Sequence, residues 1–201
     1  MILERIIVGP MQANCYILGS AKTHQALVID PGAEVEEIKR CLKEHQLKIK
    51  ALVNTHGHID HIGADAYLDS PVYIHRLDAE FLTNPDLNLC RKFGFILPSI
   101  KPDVLLEDGQ KIEAGEIHLE VIHTPGHTPG GICLRSDNIC FTGDTLFAEG
   151  IGRTDIPSGN EKDLLNSIRK RLLTLPDEVT IYPGHGPSST IGRERKNNPF
   201  L

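Results

Sequence analysis

Residues 50–61 read KALVNTHGHIDH. The first part, Lys50 to Asn54, is a short apolar run with the β-branched Val53 near its end, which predicts a strand. One residue later comes HGHIDH at 56–61, four metal-binding side chains within six residues. In an extended loop leaving a strand, His56 and His58 point to the same side, because side chains alternate along extended backbone. Asp60 and His61 then fall at the start of the next turn and face a second position. A single HxH would read as a turn with solvated histidines. Four ligands in one segment predict a loop that feeds two metal ions.

Working outward, the same unit recurs: a β-branched apolar run followed at once by a polar turn with Gly or Pro. ALVID ends at Asp30, LEVIHTPGH at His127, NICFTGD at Asp144 and VTIYPGH at His185. If these strands share sheets, their C-terminal ends form one polar edge on a rigid base. The seven ligands divide into His56, His58 and His127 for one metal and Asp60, His61 and His185 for the other, with Asp144 bridging. Three or four protein ligands per ion leave open coordination, as a catalytic site requires. A structural metal, held for stability alone, is usually closed by four ligands. By ligand type zinc is expected first, with iron or manganese also admitted.

Composition narrows the classes. The 201 residues, at about 150 per domain, predict a single domain over 1–201. Apolar residues make up 40% and charged residues 24%, which excludes disorder, collagen and coiled coil. No apolar run approaches the ~20 residues that cross a bilayer, so no membrane partner is expected. The net charge of −6 argues against a nucleic-acid partner. The opening MILERIIVGP breaks the apolar stretch a signal peptide needs, so a cytoplasmic location is expected. Five cysteines without a CxxC pair read as reduced thiols, with Cys133 and Cys140 as small core residues. Monomer and homo-oligomer are equally compatible with these features.

Helical patterns lie between the strand runs. Val35, Ile38 and Leu42 predict an amphipathic helix over 34–45, and Leu164, Ile168, Leu172 and Leu175 another over 160–175, stopped by Pro176. Segment 76–93 also reads as helical, interrupted at Asn84 and Pro85, and 94–103 reads as a loop. Of the other histidines, His123 is expected to pack or to support a ligand, and His24, His45, His75 and His118 to sit at the surface or at strand ends.

HGHIDH, the His of TPGHT, the Asp of GDT and the His of PGHG, in that order, resemble the metal signature of the metallo-β-lactamase superfamily. The resemblance implies an α+β fold, an αββα sandwich of two packed mixed sheets flanked by helices, with a two-metal site at one edge. Asp30 in VIDPG matches the first family motif, where an Asp supports the site without binding metal. Family β-lactamases typically carry Cys at the position of Asp144, and flavodiiron proteins carry Glu at that of His58; both departures argue against those branches. Ribonuclease-like members carry extra nucleic-acid-binding elements, which the acidic balance disfavours.

GDTLFAEGIGRTDIPSG and the closing PGHGPSSTIGRERKNNPFL resemble short bacterial glyoxalase II-like hydrolases. This implies hydrolysis of a thioester such as S-lactoylglutathione by a metal-bridged hydroxide, with Asp60 orienting the hydroxide or shuttling its proton. No C-terminal helical substrate domain is expected, and the family's Lys–Tyr pair is replaced by Gly152, Arg153, Thr154 and Asp155. Arg153 reads either as a clamp for the substrate's carboxylate or as an ion-pair brace for its loop. GRTD is also shared with persulfide dioxygenases, which implies an alternative in which one iron is bound by His56, His127 and Asp144.

Overall fold

The computed structural model describes residues 1–201. Six strands form the first sheet in the order of the chain: β1 (Ile2–Val8), β2 (Ala13–Gly19), β3 (Gln25–Ile29), β4 (Lys48–Asn54), β5 (Val72–His75) and β6 (Val104–Leu106). β1 to β3 are antiparallel, and β3 to β6 run parallel. The second sheet holds β7 (Lys111–Ala114), β8 (Ile117–His123), β9 (Ile132–Ser136) and β10 (Ile139–Gly143), all antiparallel neighbours. A small hairpin, β11 (Leu146–Phe147) and β12 (Gly150–Ile151), comes next. β13 (Thr180–Pro183) then returns parallel to β10, and β14 (Ser189–Thr190) closes that edge.

Alternation along the strands builds the layers, because successive side chains point to opposite faces. From β2, Tyr16 and Leu18 meet Leu119, Val121, Leu134 and Phe141 of the second sheet, forming the core between the sheets. Cys15 and Ile17 face the other way and pack under Ile38 and Leu42 of α1 (Val35–Glu44). On the far side Cys133 and Cys140 pack with Leu164 of α4 (Glu161–Ser167) and with Ile168 and Leu172 beyond it. Helix, sheet, sheet and helix are the four layers expected from the sequence. The two cysteines are fully buried, in line with their reading as core residues.

The helix at 160–175 differs in detail. After α4 the chain widens into a π turn over Ile168–Leu172, where the Leu173 N–H donates to the Ile168 carbonyl. The stripe Leu164, Ile168, Leu172 still ends fully buried. Segment 76–93 breaks at Asn84 and Pro85 as the sequence predicts, but neither side of the break is a long α-helix. A 3₁₀ stretch covers Arg76–Leu82, turns come after it, and a single turn of helix, α3 (Cys90–Phe93), comes last. Pro85 has no N–H to continue a helix and disfavours helical backbone at Asn84, whose Oδ1 accepts instead from the Asp86 N–H. No helix is long and apolar enough to cross a membrane.

Candidate metal centre

The sheets deliver their C-terminal ends to one edge. Asp30 directly follows β3 and Asp144 directly follows β10, while His56 and His185 each come two residues after β4 and β13. The helical turn α2 (Ile59–Ile62) carries Asp60 and His61. His127 stands in the turn between β8 and β9, and the pairing of the two sheets brings all seven expected ligands together.

Three groups form. The donor atoms of His56, His58 and His127 lie within 4.8 Å of one another, as do those of Asp60, His61 and His185, and those of His56, His61 and Asp144. His58 Nδ1 is 2.9 Å from His127 Nε2. Asp60 Oδ2 is 3.2 Å from His185 Nε2 and 3.6 Å from His61 Nε2. Asp144 spans the two sets, with Oδ2 3.5 Å from His127 Nε2 and 3.7 Å from His185 Nε2, and Oδ1 3.6 Å from His61 Nε2. Gly184 is required beside it, since a Cβ there would overlap Asp144 Oδ1 and His61 Cε1.

Hydrogen bonds behind the rings set the tautomers. Asp30 is buried and accepts from the Thr55 N–H, the Thr55 hydroxyl and His61 Nδ1, at 2.7, 2.7 and 3.0 Å. With its proton on Asp30, the Thr55 oxygen can only accept from His56 Nδ1, at 3.1 Å. His127 Nδ1 donates to the Arg153 carbonyl at 2.8 Å. These bonds leave Nε2 of His56, His61 and His127 facing the centre, the second-sphere arrangement that metal-binding imidazoles use. Asp30 thus supports the site without joining the ligands.

Buried Nε2 atoms of His56, His58 and His61 and Oδ1 of Asp144 have no hydrogen-bond partner. Each such orphan costs ~1–3 kcal/mol; His56, His61 and Asp144 belong to one group of donors within 4.8 Å, which fits a site built around cations, while His58 meets His127 through Nδ1. Burial, reinforced by the neighbouring imidazoles, holds His56 and His58 well below the usual histidine pKa, which keeps their lone pairs available. His127 is also lowered by burial, partly offset by Asp144. His61 is buried too, but Asp60, Asp144 and Asp30 outweigh that and push it up to about 10. Asp60 is opposed by burial yet held below the ordinary carboxylate range by His61 and His185.

Two supports are not legible in the sequence as site residues. Asp78, fully buried, accepts from the Gly57 N–H, the Thr128 hydroxyl and the Gly130 N–H at 3.1, 2.7 and 2.6 Å, tying the loop of His56 and His58 to that of His127. Burial raises its pKa to about 6 despite those bonds. Its one sequence signal is a carboxylate sharing the i, i+3, i+4 face of Phe81 and Leu82. Asn14 of β2 donates to the carbonyls of Pro183 and Gly186, both at 2.9 Å, and so holds the turn that presents His185.

A cleft of about 320 Å³ opens over the ligands, walled by Met11, Leu89, Phe93, Phe147, Ile151 and Ile156, with Lys92 and Arg153 at its mouth. The Arg153 guanidinium is half-exposed and gives both Nε and Nη2 to Asp155 at 2.8 Å. His123 is no ligand: its ring stacks on His75 at 4.2 Å, and its Nε2 lies 2.9 Å from the Pro129 carbonyl oxygen. His24 and His118 are exposed, while His75 is buried at the end of β5.

Residues 8–185 match the Metallo-beta-lactamase superfamily. A Bacillus subtilis protein named "Probable metallo-hydrolase YqgX" is 41% identical over 205 residues, covering 98% of this chain and 96% of the relative. A Haemophilus influenzae protein named "Hydroxyacylglutathione hydrolase GloC" is 39% identical over 213 residues, covering 100% and 98%. Among solved structures, the BLEG-1 B3 metallo-beta-lactamase superposes with a TM-score of 0.93 at 38% identity, covering 100% of this chain and 99% of the other. TTHA1623 in a di-iron-bound form gives 0.88 at 37%, covering 98% and 100%. ETHE1 from Myxococcus xanthus gives 0.80 at 29%, covering 99% and 84%.

Proposed function

Because the chain belongs to the metallo-β-lactamase superfamily, and relatives 39% and 41% identical to it carry the names of a hydroxyacylglutathione hydrolase and a probable metallo-hydrolase, we propose that it hydrolyses a thioester with two divalent metal ions. The observation that carries this reading is Asp144, whose two oxygens reach toward both ligand sets. His56, His58 and His127 would hold one ion, Asp60, His61 and His185 the other. Zinc suits the donors, and iron and manganese also fit; the di-iron form of TTHA1623 is a precedent for iron.

When bound, such ions supply Lewis acidity and bring the pKa of a coordinated water from 15.7 to about 7. The protein's own groups do the rest. Asp60 lines the cleft, with its Oδ2 3.2 Å from His185 Nε2, where it can orient the attacking water or shuttle its proton. No Ser or Cys lines the cleft, and its Asp and His side chains are the ones that would hold the ions, which favours water as the nucleophile. The apolar walls exclude competing solvent and accept the body of the substrate. Water and thioester become a carboxylic acid and a thiol.

The alternative is a persulfide dioxygenase with one iron on His56, His127 and Asp144, the reading that the GRTD stretch at 152–155 opens. One experiment separates the two: metal analysis of the purified protein, with S-lactoylglutathione hydrolysis and oxygen uptake on glutathione persulfide assayed side by side. Two ions per chain with hydrolysis and no oxygen uptake support the hydrolase. One iron with oxygen uptake, or a β-lactam cleaved in preference to any thioester, overturns it.

A further inference from the structure

We propose that the short helix α3 is a substrate-recognition element and that Lys92 binds an anionic group on the thiol portion of the thioester. This deepens the hydrolase reading and rests on it.

Two cations stand at the mouth of the cleft, Lys92 and Arg153. The planar fork of Arg153 is filled by the Asp155 carboxylate through two bonds of 2.8 Å. Lys92 makes no ion pair; its ammonium sits 5.8 Å from the centroid of the Phe93 ring. The two come from different segments, Lys92 from α3 and Arg153 from the stretch after β12, and line the same cleft. Lys92, Arg153 and Asp155 sum to one positive charge, and the charge without a partner is the lysine's.

The backbone is built to put it there. Leu89, the residue before α3, has φ +69° and ψ +6°, left-handed backbone that a branched side chain rarely adopts. Such a conformation persists only when its surroundings over-determine it, and here they do. Asn88 donates to the Phe81 carbonyl at 2.7 Å, accepts from the Cys90 N–H at 3.0 Å, and its own carbonyl accepts from the Ile59 N–H at 3.0 Å. α3 therefore hangs from the same turn that carries Asp60 and His61. Leu89 packs with Ile59 and Met11, and the reversal presents Leu89, Lys92 and Phe93 to the cleft. Phe93 remains 45% exposed there, an apolar face that a bound substrate would cover.

The ligand class is thus a thioester whose carrier has an apolar or extended body and an anion, either the carboxylates of a peptide thiol or the phosphates of a nucleotide thiol. The test compares three substrates on the metal-loaded protein: S-lactoylglutathione, lactoyl-coenzyme A and the neutral S-lactoyl-N-acetylcysteamine. Lys92→Met keeps the apolar stem and removes the charge. It is expected to lower the ratio of kcat/KM for an anionic over the neutral thioester about tenfold, the low end of a charge-assisted contact. Lys92→Arg should restore most of that ratio. Whichever anionic substrate loses its advantage identifies the carrier type.

An unchanged ratio in Lys92→Met for both anionic substrates, or a collapse only in Arg153→Ala, overturns the assignment while leaving the hydrolase intact. If none of the three is cleaved, the hydrolase reading fails instead. Calorimetric binding of S-hexylglutathione, a thioether that cannot be hydrolysed, then decides for Lys92: about tenfold weaker binding to Lys92→Met supports the subsite, and equal binding removes it.

Discussion

The Nδ1 nitrogen of His127 lies 2.8 Å from the backbone carbonyl oxygen of Arg153. The segment after β12 is therefore coupled to the ligand through its main chain, while the side chain of Arg153 is engaged by Asp155. The contact that orients His127 survives any side-chain replacement at 153 that spares the backbone.

Arg153→Ala is accordingly expected to leave metal content unchanged and to reduce stability by less than about 1 kcal/mol, the usual value of an exposed ion pair. Metal analysis and thermal unfolding check this. Loss of metal would show that the loop depends on the guanidinium after all.

The purified, metal-loaded protein is expected to hold about two transition-metal ions per chain, and a chelator to abolish its activity. Asp144→Ala should lose or scramble both ions, since this carboxylate reaches both ligand sets. One tightly bound iron at full activity, with His185→Ala still active, would refute the dinuclear centre.

Asp78→Asn should weaken the first ligand set selectively. The amide has one acceptor oxygen, and its NH₂ would face a backbone N–H that now donates to a carboxylate. A cost of roughly 1–3 kcal/mol is expected for the unsatisfied donor, read in the melting temperature. Competition with a metallochromic chelator should show one of the two ions bound more weakly. Equal weakening of both would mean that Asp78 acts on the whole fold and not on the loops of His56, His58 and His127.

Stability should also depend on His75. Burial, and then the stacked His123, lowers its pKa from 6.5 to about 4, with Arg76 adding to the shift and Glu107 and Asp108 opposing it. The ring is neutral in the fold, and its Nδ1 accepts from the Leu77 N–H. Between pH 4 and 6.5 the unfolded chain binds a proton that the folded chain does not, so this contribution is present above the window and is lost as pH falls through it. Chemical denaturation with chelator present, which separates this effect from metal release, should show stability falling by about 1–2 kcal/mol less across the window in His75→Gln. Parallel slopes for the two proteins would remove His75 as the cause.

The candidate ligands are legible in the sequence because each belongs to a local rule. An extended loop alternates its side chains, so His56 and His58 share a side; a strand run ending in a Gly- or Pro-bearing turn presents Asp144 or His185 at a sheet edge. The layered architecture follows from the same runs together with the family resemblance. Segment 76–93 reads as helix interrupted at Asn84 and Pro85, and the break is there; the 3₁₀ form of Arg76–Leu82 is not legible, because apolar spacing does not separate i→i+3 from i→i+4 bonding.

Asp78, Asn14 and Lys92 become meaningful only in three dimensions. Asp78 and Thr128 are 50 residues apart, and Asn14 and the Pro183 carbonyl 169. A buried carboxylate and a buried amide look in the sequence like any polar residue, since their partners are mostly backbone groups that carry no residue identity. Of the two cations Lys92 and Arg153, the sequence singles out only Arg153; Lys92 is one charge in a segment read as helical. What distinguishes them is that Asp155 folds back on Arg153, while the left-handed turn at Leu89 carries Lys92 to the cleft without a partner. Side-chain chemistry, local periodicity and a neighbour such as Asp155 reside in the sequence, but the satisfaction of buried groups such as Asp78 and Asn14 depends on which distant groups the fold brings within about 3 Å, and that is settled only when the chain packs.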